Sequence, residues 1–180
     1  MRTLALVAAS SGAGATTLAA LAFAGLRDEP RGAPRLLGAE RGGLLERADG
    51  AEADTVDPER AVWDAGVRPL GEVLAVLGPL DPLVVVAPAT PLGAADARRL
   101  LDEVAATDPR GLDRVTVVLA EVHGRARTLA APPGAPVLRL PYDRALAQPG
   151  AVLADGTRLA RRTRAAVTAW QDCCAELLNR

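Results

Sequence analysis

Residues 3–21 constrain the fold more than any other stretch. Residues 3–9 are a run of strand length, apolar on both faces from Leu4 onward. Such a strand is covered on both sides, which places it at the centre of a parallel sheet. The chain then enters Ser10-Ser11-Gly12-Ala13-Gly14, a turn of small residues, followed by Ala15-Thr16-Thr17-Leu18. Leu18, Leu21, Ala22 and Leu26 recur at helical spacing, so a helix is predicted over 15–27. A strand, a glycine turn and a helix N-terminus aim backbone N–H groups and the helix dipole at one point, which is an anion site.

The alternation continues down the chain. Residues 29–34, rich in Pro and Gly, form a turn before a short second strand over 35–40. Residues 44–60 carry six carboxylates and read as an exposed loop or irregular helix. A third strand over 60–66 ends at Asp64. A helix over 70–78 and a β-branched fourth strand over 83–88 follow. The helix over 93–106 turns Ala94, Ala97, Leu100, Leu101 and Val104 inward and Arg98, Arg99, Asp102 and Glu103 outward. A fifth strand covers 115–122, a Pro/Ala linker 130–136 and a sixth strand 136–140. A last helix runs over 157–179. Six strands alternating with helices predict one α/β domain over 1–180, an open, mostly parallel sheet in three layers with helices on both faces. Ligands of such sheets bind at the carboxyl ends of the strands. The loop 10–17, Glu40, Asp64, the turn at 120–121 and the stretch Pro141–Asp143 all fall on that edge.

A loop that cradles phosphate reads G-x-x-x-x-G-K-[ST]. The same frame here reads Ala9-Ser10-Ser11-Gly12-Ala13-Gly14-Ala15-Thr16. The second glycine and the hydroxyl are present; Ala15 stands in the lysine position. The whole chain has no lysine, so none elsewhere can supply the charge; its 21 basic residues are all Arg.

On these residues the chain resembles the MinD/ParA-type ATPases, whose deviant phosphate loop is G-K-G-G-x-G-K-T-T. Gly12, Gly14, Thr16 and Thr17 match it, while Ser10, Ser11 and Ala15 stand for Lys, Gly and Lys. Further matches come in order. Asp64, ending an apolar strand before a glycine, resembles the family's Walker B acid. Residues 82–101 resemble the strand and helix that follow it. Pro141-Tyr142-Asp143 to Gly150 resembles the segment that lies beside the base. Gly38 and Glu40 stand where the family often has D-x-D, and Ala120-Glu121 where it often has Asn-Arg. The resemblance implies a P-loop fold and ATP or ADP with Mg²⁺ as cofactor. It implies nucleotide contacts from Ser10, Ser11, Gly12, Ala13, Gly14, Ala15, Thr16, Thr17, Pro141, Tyr142 and Asp143. It implies metal contacts from Thr16, Asp64 and Glu40. Losing the loop lysine removes a charged hydrogen bond and should weaken triphosphate binding roughly 10–150-fold. With both family lysines gone, hydrolysis is expected to fail unless an Arg takes over, Arg41 and Arg144 being the nearest in sequence. The reading is thus a pseudo-ATPase or weak nucleotide binder. It would act through protein partners of division, partition, pilus or secretion machinery, with a homodimer across the loop edge. Other readings stay open: a working Mg-ATP switch with substituted lysines, a different enzyme on a related fold, and a pure interaction module with an empty loop.

Formal charge is −1, so no global field draws nucleic acid or membrane. Cys173 and Cys174 are adjacent and read as small buried hydrophobes of a reducing compartment. The first apolar run is too short for a signal peptide or span, so the expected compartment is the cytoplasm. His123, the single histidine, has no metal or catalytic partners nearby in sequence and reads as a solvated loop residue. The stripe Leu159, Ala166, Val167, Trp170, Cys173, Cys174, Leu177, Leu178 is expected to pack on the sheet. A membrane surface is its alternative use, beside Arg158, Arg161, Arg162 and Arg164.

Overall fold

Short apolar runs supply the centres of most strands. The computed structural model describes residues 1–38, 43–49, 55–124, 131–154 and 157–179. Its strands are β1 (Arg2–Ala8), β2 (Ala33–Leu37), β3 (Val56–Gly66), β4 (Leu83–Pro88), β5 (Val115–Ala120) and β6 (Val137–Leu140). They form one sheet in the order β2-β3-β1-β4-β5-β6, and every pairing is parallel. The helices are α1 (Ala15–Leu26), α2 (Leu44–Arg47), α3 (Leu70–Val76), α4 (Pro91–Thr107), α5 (Arg144–Ala147) and α6 (Arg161–Asn179). A 3₁₀ turn at Gly111–Arg114 leads into β5.

Alternate residues of each strand go to opposite faces. Leu4, Leu6, Ala8, Val62, Val84 and Val86 pack with α1 and α6. Ala5, Val7, Ala65, Val85 and Ala87 pack with α3 and α4. The three-layer α/β architecture is therefore as expected, with a sheet that is wholly parallel. The chain lays β2 and β3 on one side of β1 and then crosses to β4 on the other. The strand order reverses at β1, where α1 leaves to one face and α3 to the other. A crevice opens at the carboxyl edge of such a reversal.

The element boundaries depart from expectation where polar residues find partners. Of the stretch 44–60, expected as an exposed loop or irregular helix, residues 44–47 are helical and 56–60 belong to a strand, with several side chains buried. Leu44 and Ala48 are buried around α2, and β3 begins at Val56. Asp57 and Arg60 are both buried because they neutralise each other. Arg60 Nε donates to Asp57 Oδ2 at 2.9 Å, Nη2 to the Gly32 carbonyl at 2.7 Å, and Nη1 to Glu29. Pro58 lies in a register shift between β2 and β3, where a missing N–H breaks no ladder. α6 starts at Arg161 rather than 157.

The stripe on α6 is consumed in the core. Val167, Trp170, Cys174, Leu177 and Leu178 are buried, and Trp170 Nε1 donates to the Leu18 carbonyl of α1 at 3.0 Å. Helix α1 is consequently buried on both sides, between the sheet and α6. No helix among the described residues is long and apolar enough to cross a membrane.

Candidate functional site

The loop after β1 takes the shape its glycines allow. Gly12 has φ +75° and Gly14 φ +94°, values that L side chains rarely adopt. The Ala9 N–H is held by Val86 O at 2.8 Å and the Ala13 N–H by Ser10 O at 3.3 Å, which fixes both shoulders of the turn. Gly14 caps α1 through its backbone, and the Leu18 N–H is the first to find a partner inside the helix. Among the described residues, none accepts from the N–H groups of Gly12, Gly14, Ala15, Thr16 or Thr17. These donors surround one helix start, the geometry that receives an anion. The loop carries no cationic side chain.

The loop opens on a cleft of about 480 Å³, within the ordinary range for small-molecule sites. Its walls are residues 10–17, Gly66–Val67, Ala120–Val122, Pro141–Asp143 and Leu146–Ala147, with Arg47. Every residue of Ser10–Thr17 and of Pro141–Asp143 that the sequence pointed to as nucleotide contact lies on this lining. Strand ends separated by more than a hundred residues of sequence are brought to one edge.

Asp64 is placed differently. It pairs with Leu6 in register and points to the α1 face, and it is buried at 5% exposure. It is not on the cleft lining; Gly66 and Val67, just beyond it, are. Its Oδ1 accepts from the Gly66 N–H at 3.0 Å, closing a turn at a bulge where β3 gains one residue on β1. Its other oxygen has no hydrogen-bond partner among the described residues. Gly38 comes against this strand end: a Cβ there would lie 2.3 Å from the Asp64 carbonyl oxygen, at φ +83°. A carboxylate in the position where the resembled family has its first Asp is thus excluded by backbone contact. Glu40, expected as a metal ligand, and Arg41 lie outside the described residues. Among those described, no three His, Cys, Asp or Glu side chains converge as a metal cage. A Mg²⁺ ion is suited by few protein ligands plus water and phosphate oxygens; of the described residues expected to hold it, Thr16 lies on the cleft lining and Asp64 does not.

Asp143 is a structural hub beneath the cleft. Its Oδ1 accepts from the Ala145 N–H at 3.0 Å and its Oδ2 from the Ala160 N–H at 2.9 Å. Burial pushes this carboxyl up, but the amides of Ala160 and Ala145, and then Thr163 and Arg162, hold it below the ordinary value. The Thr163 hydroxyl contributes from outside hydrogen-bond geometry.

Two charged lining residues were not assigned roles from the sequence. Arg47 Nη1 donates to Gln148 O at 2.7 Å and Nη2 to Leu146 O at 2.6 Å, tying α2 to the end of α5. Burial pulls its guanidinium down from the ordinary value, opposed by Glu46. Among the described residues it is the one Arg on the lining, and its position among acidic residues gave no sign of that. Glu121 follows β5, and its Oε2 accepts from the Tyr142 N–H at 3.2 Å. His123 lies beyond the cleft wall, and Arg144 is not on the lining.

No family model matches this chain, and no curated protein matches it.

Proposed function

We propose that the chain is a MinD/ParA-like nucleotide binder of little or no ATPase activity, a pseudo-ATPase that serves as a cytoplasmic positioning or scaffold factor through protein partners. The observation that carries this reading is the set of amides of Gly12, Gly14, Ala15, Thr16 and Thr17, unpartnered among the described residues, beside a nucleoside-sized cleft at the reversal of a parallel sheet. Those amides and the Thr16 and Thr17 hydroxyls would hold phosphate oxygens. Thr16 and Asp64 would position Mg²⁺, which supplies charge neutralisation at the phosphates when bound. Transfer of a phosphoryl group needs further positive charge on the equatorial oxygens. No lysine exists to provide it, and Arg47 has two of its nitrogens committed to the Leu146 and Gln148 carbonyls.

Titration calorimetry with ATP and ADP, with and without Mg²⁺, tests the reading. Binding at micromolar to millimolar concentration, weakened by Thr16→Ala and by Asp64→Ala, is expected. Turnover above about 0.01 per second, about a hundredfold below the common enzyme range, would favour a working switch instead. No heat with any nucleotide would leave an interaction module. Arg47 on the lining is the observation that favours a switch, and Arg47→Ala separates the two. It should leave nucleotide affinity within threefold if the side chain only ties α2 to α5.

A further inference from the structure

We infer that the cleft reads guanine in preference to adenine, through the Glu121 carboxylate and the Tyr142 ring at its β5–β6 end. The inference rests on the nucleotide-site reading above and names the base that site takes. Glu121 and Tyr142 follow β5 and β6, two and three strands along the sheet from β1. At the usual strand spacing that is about 10 and 14 Å from the strand that feeds the phosphate loop. The loop leans towards them, since Gly14 comes against Val122 and Ala120. A nucleoside spans that interval with its phosphate on the loop and its base at the far wall.

Glu121 is held there from several directions. Its N–H donates to Leu140 O at 2.9 Å, which locks its backbone to the end of β6. Its Oε2 accepts from the Tyr142 N–H at 3.2 Å and has Arg162 Nη2 at 4.0 Å. The same Arg162 nitrogen donates to Tyr142 O at 3.4 Å, bracing the pair from α6. No described residue donates to Oε1, and the side chain, 17% exposed, lines the cleft. A carboxylate has about four lone-pair sites; the Tyr142 amide takes one on Oε2, which leaves Oε1 and a second site on Oε2 for a ligand.

A carboxylate only accepts hydrogen bonds. Guanine carries two neighbouring donors, N1–H and the N2 amino group, so both meet acceptors. The adenine amino group is flanked by ring nitrogens with lone pairs, so a carboxylate that takes its N–H also faces a like partial charge. Cytosine and uracil likewise place acceptors beside their donors. Tyr142, 38% exposed on the same wall, offers a face on which any base stacks. Stacking is tolerant of base identity, so Tyr142 adds affinity and Glu121 adds choice.

The test measures binding of GDP and ADP, each with Mg²⁺, to the full chain and to Glu121→Gln, Glu121→Ala and Tyr142→Ala. The full chain should bind GDP about 5–150-fold tighter than ADP, the discrimination of one good two-point base contact. In Glu121→Gln, which keeps an acceptor for the Tyr142 amide, the ratio should fall towards one with ADP affinity little changed. Tyr142→Ala should weaken both nucleotides alike. ADP binding as tight as GDP, or tighter, overturns the inference and leaves the nucleotide site standing. A GDP preference undiminished in both Glu121 variants also overturns it, because some other group would then read the base. Binding of neither nucleotide at millimolar concentration overturns both readings together.

Discussion

At Gly38 two costs coincide. The residue sits at φ +83°, where an L side chain is strained by about 1–2 kcal/mol. A Cβ would also press on backbone, 2.3 Å from the Asp64 carbonyl oxygen, and backbone cannot rotate away as a side chain can. Gly38→Ala should therefore destabilise by about 2 kcal/mol or more, seen as a lower midpoint in urea unfolding at an unchanged slope. It should also weaken nucleotide binding if it displaces the Asp64 end of β3, so affinity and midpoint are best read on the same sample. Thr90 gives the contrasting case. Its hydroxyl accepts from the Gly93 N–H at 3.0 Å and caps α4, with Pro91 at the first helical position. Thr90→Ala should cost about 1 kcal/mol and leave the cleft untouched. The helix was expected over 93–106 and begins at Pro91 instead, although its cap depends only on neighbours in the chain. The bar on a side chain at 38 was not legible in the sequence, because it comes from a strand end 26 positions away.

The pairing of α1 with α6 decides how the element that carries the loop is held. Gly25 lets the helices approach: a Cβ there would lie 2.6 Å from Gln171 Cγ and 2.9 Å from its Cβ. Gln171 Nε2 and Trp170 Nε1 each donate to a carbonyl of α1, those of Leu21 and Leu18. Trp170 is 2% exposed, so Trp170→Ala should cost about 3–5 kcal/mol. Cys174, fully buried one turn further on, reports the same docking: burial pushes its thiol well above the ordinary value, so it stays protonated and unreactive. In Trp170→Ala, thiol-reagent labelling of Cys174 should accelerate; an unchanged labelling rate would mean that Trp170 does not hold α6 down. The periodicity of α6 showed that a face was buried, and that held. What the pattern of α1 could not show was its second burial. Ala19, Ala20 and Phe23 extend its apolar surface all round, and with so many alanines a wholly buried helix and an amphipathic one look alike. Residues 56–60 misled for another reason. Their charges looked solvent-seeking, whereas Asp57 and Arg60 satisfy each other and go inside.

For the molecule as a whole, the parallel sheet and the edge that carries the cleft were readable, because both follow from the alternation of strands and helices; the strand order comes from the structure. The composition of the cleft walls was readable only in part. Arg47 reaches it by bonding carbonyls about a hundred positions away, and Glu121 acquires its place by pairing with Tyr142; no local pattern encodes either. Two other carboxylates, Asp57 and Asp143, govern how the fold responds to acid. Asp57 is lowered chiefly by the Glu59 amide, against burial, with Arg60 and Arg31 helping. Asp143 is lowered on balance by the Ala160 and Ala145 amides despite its burial. For both, the folded state binds a proton more weakly than the unfolded chain, whose carboxyls titrate near the ordinary 3.8. Their stabilisation is therefore complete above about pH 5 and is lost as pH falls through 3.8 towards the lowered folded values. Asp57 ties β2 to β3 at one end of the sheet, while Asp143 joins β6 to α6 beside the cleft, so acid attacks two separate seams. Thermal unfolding followed from pH 7 to pH 3 should show a plateau and then a fall. Asp143→Asn should lower the plateau and flatten the fall below pH 4, with Asp57→Asn adding a further, independent flattening. A curve whose acid limb is unchanged in the double variant would show that neither seam sets the response.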